Sequence, residues 1–251
     1  MAMRILSGLY WFVAAIVALV MFPIAVLLWA ITKPFDRRGV VLHAFTNLWG
    51  SIYTWVNPVW SVRVRGRELI DGEPCVMVSN HLSLVDIFVM HRLFRHFKWV
   101  SKIEVFRIPV IGWNMRLNGY VPLRRGERSS VLEMFARCRD ALAKGSPIMM
   151  FPEGTRSRTG QLKPFKPGAF ELAKEAGVPM QPIVVQGTFE SLPGTGLLVG
   201  RARMRVTVLP KVPLSQVEAL SVEELSDLVR ERIEERLAAE PWPPSPQARA
   251  G

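Results

Sequence analysis

Residues 75–86 read CVMVSNHLSLVD, and this stretch decides the fold. Its first five residues form a continuous apolar run, which is typical of a strand buried on both faces of a sheet. Three polar residues follow in quick succession, Asn80, His81 and Asp86. Sites in α/β proteins are usually built at strand ends. The stretch therefore predicts a buried strand that delivers a histidine and a carboxylate to a site.

Short apolar runs alternate with amphipathic segments on both sides of this stretch. Trp60, Val62 and Val64 alternate with polar residues, which predicts a half-exposed strand. Further strands are predicted at 98–101, 119–123, 148–151, 183–186 and 204–209. Helical periodicity marks 129–144, 169–176 and a segment that opens with the capping pair Ser221 and Glu224. The alternation predicts an α/β domain with a mixed, largely parallel sheet flanked by helices.

The N-terminal segment is strongly apolar. Residues 9–31 read LYWFVAAIVALVMFPIAVLLWAI and carry no charge. A helix of that length extends about 35 Å, enough to cross the hydrocarbon of a bilayer. A signal peptide would have a shorter apolar region and a small-residue cleavage site, whereas this run ends in TKPFDRR. The helix either spans the bilayer or bends at Pro23 and stays in one leaflet, and the sequence leaves both open.

A second apolar segment, residues 40–59, carries polar residues along one helical side and predicts an interfacial helix. We therefore predict three parts: an N-terminal hydrophobic two-helix membrane anchor at 1–58, the α/β domain at 59–240, and a disordered proline-rich tail at 241–251. Basic residues follow the first apolar run closely, while only Arg4 precedes it. The positive-inside tendency places the domain on the cytoplasmic face of the inner or plasma membrane.

The charge balance points to an anionic partner. The chain has 32 basic and 21 acidic residues, for a net charge of +11, and 49% of its residues are hydrophobic. That hydrophobic content is unusual for a soluble nucleic-acid-binding protein, so we predict membrane lipids as partners and no nucleic acid. Two cysteines are too few for a disulfide framework or a zinc site. The four histidines show no ligand spacing, so no metal is predicted.

His81 with Asp86 has the composition of a general base whose tautomer a carboxylate fixes. The sequence lacks a GxSxG serine to complete a triad, so the substrate itself would supply the attacking hydroxyl. The alternative is a capping asparagine beside a surface His–Asp pair.

Two later stretches offer donors to an anion. GYVPLRR at 119–125 ends in arginines that either bind phosphate bidentately or are simply solvated. In FPEGTRSRTG at 151–160, Gly154 allows close backbone approach, while Thr155 and Arg156 offer hydroxyl, amide and guanidinium groups. Glu153 either holds Arg156 or accepts a substrate hydroxyl. A fourth stretch, VPMQPIVVQGT at 178–188, is interpreted as structural.

These four stretches, in this order, resemble the glycerolipid acyltransferase family, which includes the 1-acylglycerol-3-phosphate acyltransferases. The family's NHxxxxD box is similar to residues 80–86, its glycine-to-arginine box to 119–125, its FPEGTRS box to 151–157 and its proline-bearing box to 178–182. The resemblance covers about residues 60–215. Pro122 replaces a common aromatic residue, and the arginine at 124 leaves two candidates for the phosphate ligand, Arg124 and Arg125.

The resemblance implies a reaction. His81, oriented by Asp86, would take the proton from the sn-2 hydroxyl of lysophosphatidic acid, whose oxygen attacks the thioester of acyl-CoA or an acyl carrier protein. Phosphatidic acid is the expected product, with no cofactor and no metal. The implied substrate-binding residues are Asn80, Lys102, Arg125, Glu153, Gly154, Thr155, Arg156, Ser157 and Lys166.

Two alternatives stay open. One is an acyltransferase for another acceptor: a lyso-ornithine lipid, glycerol 3-phosphate or another lysophospholipid. The other is a catalytically silent membrane-binding protein that keeps the fold.

Overall fold

The computed structural model describes residues 2–192 and 198–242, and most of the predicted tail lies outside them. A mixed sheet lies at the centre, with strand order β1-β7-β6-β2-β5-β3-β4. The strands are β1 Trp60–Arg65, β2 Val76–Ser79, β3 Lys98–Lys102, β4 Val121–Leu123, β5 Ile148–Met150, β6 Met180–Gln186 and β7 Ala202–Val208. β6 and β7 pair antiparallel, and the other neighbours pair parallel. The predicted mixed, largely parallel sheet is thus confirmed.

Helices cover both faces of the sheet. They are α1 Ala2–Thr32, α2 Val40–Trp55, α3 Val85–His91, α4 Ile111–Leu117, α5 Arg128–Ala143, α6 Gly168–Ala176, α7 Leu214–Ala219 and α8 Val222–Ala239. Three short 3₁₀ turns lie at Arg67–Leu69, Val105–Arg107 and Phe189–Ser191. Ser221 and Glu224 form the predicted capping box at the start of α8.

Strand β2 is buried on both faces, which explains the continuous apolar run in its sequence. Its side chains alternate between the two faces, and all of them are buried. Met77 joins the core formed with α3, whereas Val76 and Val78 join the core formed with α5, α6 and α8. β2 also has hydrogen-bonded strands on both sides, β5 and β6.

Helix α1 packs along the rest of the chain over its whole length. Ser7, Tyr10, Ala14, Ala25 and Thr32 form a buried stripe with helical spacing. The other sides expose large apolar residues: Ile5, Leu9, Phe12, Leu19, Leu27 and Ile31. By length and composition α1 could cross a membrane, with a mean hydropathy of 2.7.

Two parts of α1 contact the α/β domain. Near the N-terminus, the Ser7 hydroxyl accepts a hydrogen bond from the Val199 amide at 2.9 Å. In the second half of the helix, the Phe22 ring lies 5.5 Å from the Trp113 ring of α4, centroid to centroid.

Helix α2 turns its polar side inward. Its buried residues include His43, Thr46 and Asn47, while Val41 and Trp55 are exposed. Asn47 hydrogen-bonds the His91 ring at 2.8 Å and the Arg95 carbonyl at 3.1 Å, and His43 meets the Tyr120 hydroxyl at 2.9 Å. An outward apolar side is the arrangement that an interfacial location requires.

The packing of α1 bears on its place in the membrane. Thirty residues of α1, from Met3 to Thr32, extend about 45 Å, against a hydrocarbon thickness of about 30 Å. A helix that crossed the bilayer would carry one end away from the domain by that thickness. Because α1 contacts the same domain both at Ser7 and at Phe22, we infer that it lies in one leaflet.

Cysteine labelling tests this inference. Cys75 and Cys138 are buried, and burial raises the pKa of both thiols to about 12, so they stay unreactive in the folded protein. We expect Arg4→Cys and Arg37→Cys, both at exposed positions, to react with a membrane-impermeant maleimide from the same side of sealed vesicles. Labelling from opposite sides would mean that α1 spans the bilayer. The parent protein is the unlabelled control.

Candidate active site

His81 and Asp86 meet where β2 ends and α3 begins. The His81 Nδ1 lies 2.7 Å from the Asp86 Oδ2. The same oxygen accepts hydrogen bonds from the amides of Leu82 at 2.6 Å and Ser83 at 2.9 Å. An ionised carboxylate only accepts, so Nδ1 carries the proton and Nε2 keeps its lone pair. This is the state that a general base needs.

The second carboxylate oxygen of Asp86 has its own donor. The Thr188 hydroxyl, just beyond the end of β6, donates a hydrogen bond to Asp86 Oδ1. Asp86 and Thr188 are both 0% exposed. Sequence reasoning missed this contact because the two residues are far apart in the chain. The available signal was a short polar residue directly after an apolar strand.

The His81 ring is also held by stacking. It lies parallel to the Phe151 ring, with centroids 3.9 Å apart and an angle of 8° between the planes. Phe151 stacks in turn on Trp99 at 5.4 Å. The aromatic neighbours fix the plane of the imidazole, and the hydrogen bond to Asp86 fixes the orientation of the ring within that plane.

Three predicted substrate contacts are instead buried and hold the loop. The Asn80 amide exchanges two hydrogen bonds of 2.8 Å with the backbone of Val185 in β6. The Glu153 carboxylate accepts from the amides of His81 at 2.7 Å and Lys163 at 3.1 Å. The Ser157 amide donates to the His81 carbonyl at 2.7 Å. This placement favours a positioning role for Asn80, Glu153 and Ser157 over the predicted contact with substrate.

The burial of Glu153 has an electrostatic consequence. Glu153 is only 2% exposed, and this burial raises the pKa of its carboxyl group. The two backbone amides, with the nearby His81 and Lys163, oppose that rise. Glu153 bonds these amides rather than Arg156, so its hydrogen-bonding capacity serves the backbone around His81.

A cationic rim surrounds the open side of His81. It is formed by Lys102, Arg125 and Arg156, together with Gly154 and Thr155. Lys102 is the last residue of β3, and the other rim residues follow β4 or β5. Since the carboxyl ends of these parallel strands share one edge of the sheet, residues distant in sequence meet here. Lys102 is 3.2 Å from Glu104, and Lys163 bonds the Thr155 hydroxyl.

Two other candidates lie away from the rim. The Arg124 guanidinium binds Glu127 at 2.7 Å, which favours Arg125 as the cleft-facing arginine of that pair. Lys166 is not among the described residues that line the cleft, and its side chain covers Gly154 instead. A Cβ on Gly154 would lie 3.0 Å from Lys166 Cε, and φ there is +70°, so this position requires glycine.

From the rim, the cleft continues into an apolar arm. The whole cleft, rim and arm together, has a volume of about 510 Å³. The arm is lined by Trp49, Tyr53, Ile87, Phe88, Trp99, Ile111 and Met115. Helix α2 therefore forms a wall of the cleft as well as part of the N-terminal pair. An anionic head and an apolar chain could be accommodated together in the cleft that His81 lines.

A family model described as Acyltransferase matches residues 61–186, about half of the chain. The chain belongs to the acyltransferase family. The matched region runs from β1 to the end of β6 and includes the His81–Asp86 pair, the rim and the buried loop contacts. The resemblance stated from the four stretches is thereby confirmed at the level of the family.

Relatives of this acyltransferase carry a common name. BAT2, a chloroplastic 1-acyl-sn-glycerol-3-phosphate acyltransferase of Brassica napus, is 38% identical over 190 residues, or 74% of this chain. The 1-acyl-sn-glycerol-3-phosphate acyltransferase of Saccharomyces cerevisiae is 31% identical over 180 residues, or 70% of this chain. The aligned parts cover 55% and 59% of those proteins, so the chain spans little more than half their length.

A solved structure has the same fold. The 1-acyl-sn-glycerophosphate acyltransferase PlsC of Thermotoga maritima superimposes with a TM-score of 0.76 and 23% sequence identity. The match covers 96% of this chain and 97% of that one, so the likeness extends to the N-terminal helices. The apolar α1 and the membrane-lipid names of the relatives indicate association with a membrane.

The contact between Thr188 and Asp86 predicts a change in catalysis. Thr188→Val keeps the shape but removes the donor, so we expect the acyl-transfer rate to fall about 10- to 100-fold. Thr188→Ser keeps the hydroxyl and should restore the rate. Steady-state kinetics measures both variants, and circular dichroism confirms that they fold. The parental rate in Thr188→Val would contradict the role.

Proposed function

We propose that this acyltransferase moves a fatty acyl group from an acyl thioester to the sn-2 hydroxyl of 1-acyl-sn-glycerol 3-phosphate, giving phosphatidic acid. The observation that carries the proposal is that His81, whose Nδ1 is bonded to Asp86, lines the same cleft as the cationic rim and the apolar arm. The names of the relatives support the same acceptor.

His81 acts as the base in this scheme. Nε2 takes the proton from the acceptor hydroxyl as its oxygen attacks the thioester carbonyl, forming the new C–O bond. The tetrahedral intermediate then collapses, the C–S bond breaks, and the imidazolium returns its proton to the departing thiolate. Asp86 stays ionised and stabilises the imidazolium while it exists. The scheme uses no protein nucleophile, cofactor or metal.

The rim binds the acceptor's phosphate. Arg125 and Arg156 offer guanidinium forks that match two phosphate oxygens, and Lys102 adds a point charge. The Thr155 hydroxyl lies on the same side of the cleft. The apolar arm takes an acyl chain, whose burial contributes about 0.8 kcal/mol for each methylene.

The membrane supplies the acceptor. Helix α1 holds the domain at the lipid surface, and the basic residues that follow it, Lys33, Arg37 and Arg38, favour the cytoplasmic face. Both acyl-CoA and an acyl carrier protein meet the chemical requirement for a thioester donor. Other lysophospholipids, lyso-ornithine lipid or glycerol 3-phosphate are the alternative acceptors.

Thiol release tests the function. Purified protein in detergent is given palmitoyl-CoA, or acylated carrier protein, with lysophosphatidic acid and the alternative acceptors in parallel. We expect release that depends on lysophosphatidic acid and falls about 10²- to 10⁴-fold in His81→Ala, since general-base catalysis contributes that much. Asp86→Asn, which leaves His81 without its ionised partner, should fall similarly. Full turnover in folded His81→Ala would overturn the mechanism, and preference for another acceptor would overturn the assignment.

A matched pair of arginine variants tests the rim. Arg125→Ala should raise KM for lysophosphatidic acid about 10- to 100-fold, because a charge-assisted hydrogen bond is removed. Arg124→Ala removes the same charge one residue away but breaks only the exposed pair with Glu127, so its KM should change little. Steady-state kinetics over a range of acceptor concentrations measures both. Equal effects of the two substitutions would count against a specific phosphate contact by Arg125.

A further inference from the structure

A second cavity of about 540 Å³ lies along the edge strand β4. Several residues of its wall precede strands: Lys98 begins β3, Gly119 comes before β4, and Ser146 comes before β5. The His81 cleft, by contrast, is lined by residues of α2 and α3 and by residues in β3 or near the carboxyl ends of β2, β4 and β5. Among the lining residues of the two cavities, Tyr120 alone is shared. The second cavity is therefore separate from the candidate active site.

Its lining is strongly basic. The cations are Arg37, Arg38, Lys98, Arg116, Arg137 and Lys144, and the carboxylate among the lining residues is Asp140. Two of these cations have acidic partners, since Lys144 binds Asp140 at 2.5 Å and Arg137 binds Glu133 at 2.6 Å. Within residues 2–192 and 198–242, the side chains of Arg37, Arg38 and Arg116 have neither a hydrogen bond nor an ion pair.

Lys98 and the Nε of Arg38 are buried with donors to spare. Lys98 is 7% exposed, and its ammonium donates one hydrogen bond, to the Asn118 carbonyl at 2.6 Å, although it has three protons. The Arg38 Nε is buried without an acceptor in the described part of the chain. Its guanidinium packs against Gly145, where a Cβ would lie 3.5 Å from Cζ. Buried donors without acceptors are unfavourable, and an anion in the cavity would satisfy them.

The electrostatics of Lys98 agree with an anionic ligand. The pKa of Lys98 is lowered to about 8, chiefly by burial; Asp36 opposes this change and Arg38 adds to it. Asp36 is already engaged, since its carboxylate accepts a hydrogen bond from the Val41 amide at 2.7 Å. A bound anion would favour the charged form of Lys98.

We propose that this cavity is a second phosphate-binding site, which takes a phosphate monoester or diester and is distinct from the His81 cleft. Guanidinium groups bind phosphate oxygens in pairs, and Arg38 and Arg116 approach the cavity from different elements. Arg37 and Arg38 lie in the loop between α1 and α2, so the site adjoins the end of the apolar helix. A phospholipid headgroup and a soluble phosphate ester are the two sources of this chemistry.

Charge-matched double variants test the site. Arg38→Gln with Arg116→Gln removes two lining cations. Arg63→Gln with Arg139→Gln removes the same charge from exposed positions outside the cavity. Each protein is titrated in neutral detergent with short-chain phosphatidylglycerol, a lipid phosphodiester, and separately with adenosine monophosphate, a soluble monoester. Binding is measured by calorimetry, and circular dichroism confirms the fold.

The parent and the control variant should bind alike, and the cavity variant should lose at least about tenfold in affinity. Arg125→Ala, altered in the His81 cleft, should retain this binding. Loss for the lipid alone identifies a headgroup as the source, and loss for the nucleotide alone identifies a soluble ester. Absence of binding by the parent, or equal loss in the control variant, would overturn the proposal.

Discussion

A buried carboxylate must be fully hydrogen-bonded, and the structure around the site depends on how Asp86 meets that constraint. Its four donors come from two places: three from the loop after β2 and one from the segment after β6. The interaction that orients His81, the proposed base, therefore also fixes the ends of two central strands. Asn80 strengthens the same junction through its paired bonds to Val185.

Local pattern predicted the elements well. All seven strands lie where apolar runs and alternation indicated, because these signals report burial on one or both faces of a sheet. The start of β6 differs, at Met180 rather than 183, since Met180 pairs with Val76 on one side and bridges to Val212 on the other. Such pairing is set by neighbouring strands and leaves no trace in the periodicity of the segment itself.

Long-range partners could not be predicted in the same way. The proximity of His81 and Asp86 follows from their spacing in the chain. Thr188, in contrast, lies beside Asp86 only because β6 pairs with β2 in the sheet. Glu153 offers the same carboxylate whether it binds a substrate or two backbone amides, and burial decides between them. The inward polar side of α2 could not be predicted either. A polar stripe on a helix usually faces water, whereas here Asn47 and His43 hydrogen-bond the buried side chains of His91 and Tyr120.

The contact of α1 with the domain at Ser7 and at Phe22 has a kinetic consequence for the proposed reaction. If the domain lies flat against one leaflet, the mouth of the cleft stays at a constant depth, and a lysolipid acceptor would reach it by lateral diffusion without passing through water. That encounter would be two-dimensional. Its frequency would depend on the mole fraction of acceptor in the surface, and diluting the vesicles at constant composition would leave it unchanged. A thioester donor arriving from solution would still follow its bulk concentration, so the rate would depend on a surface concentration for one substrate and on a bulk concentration for the other.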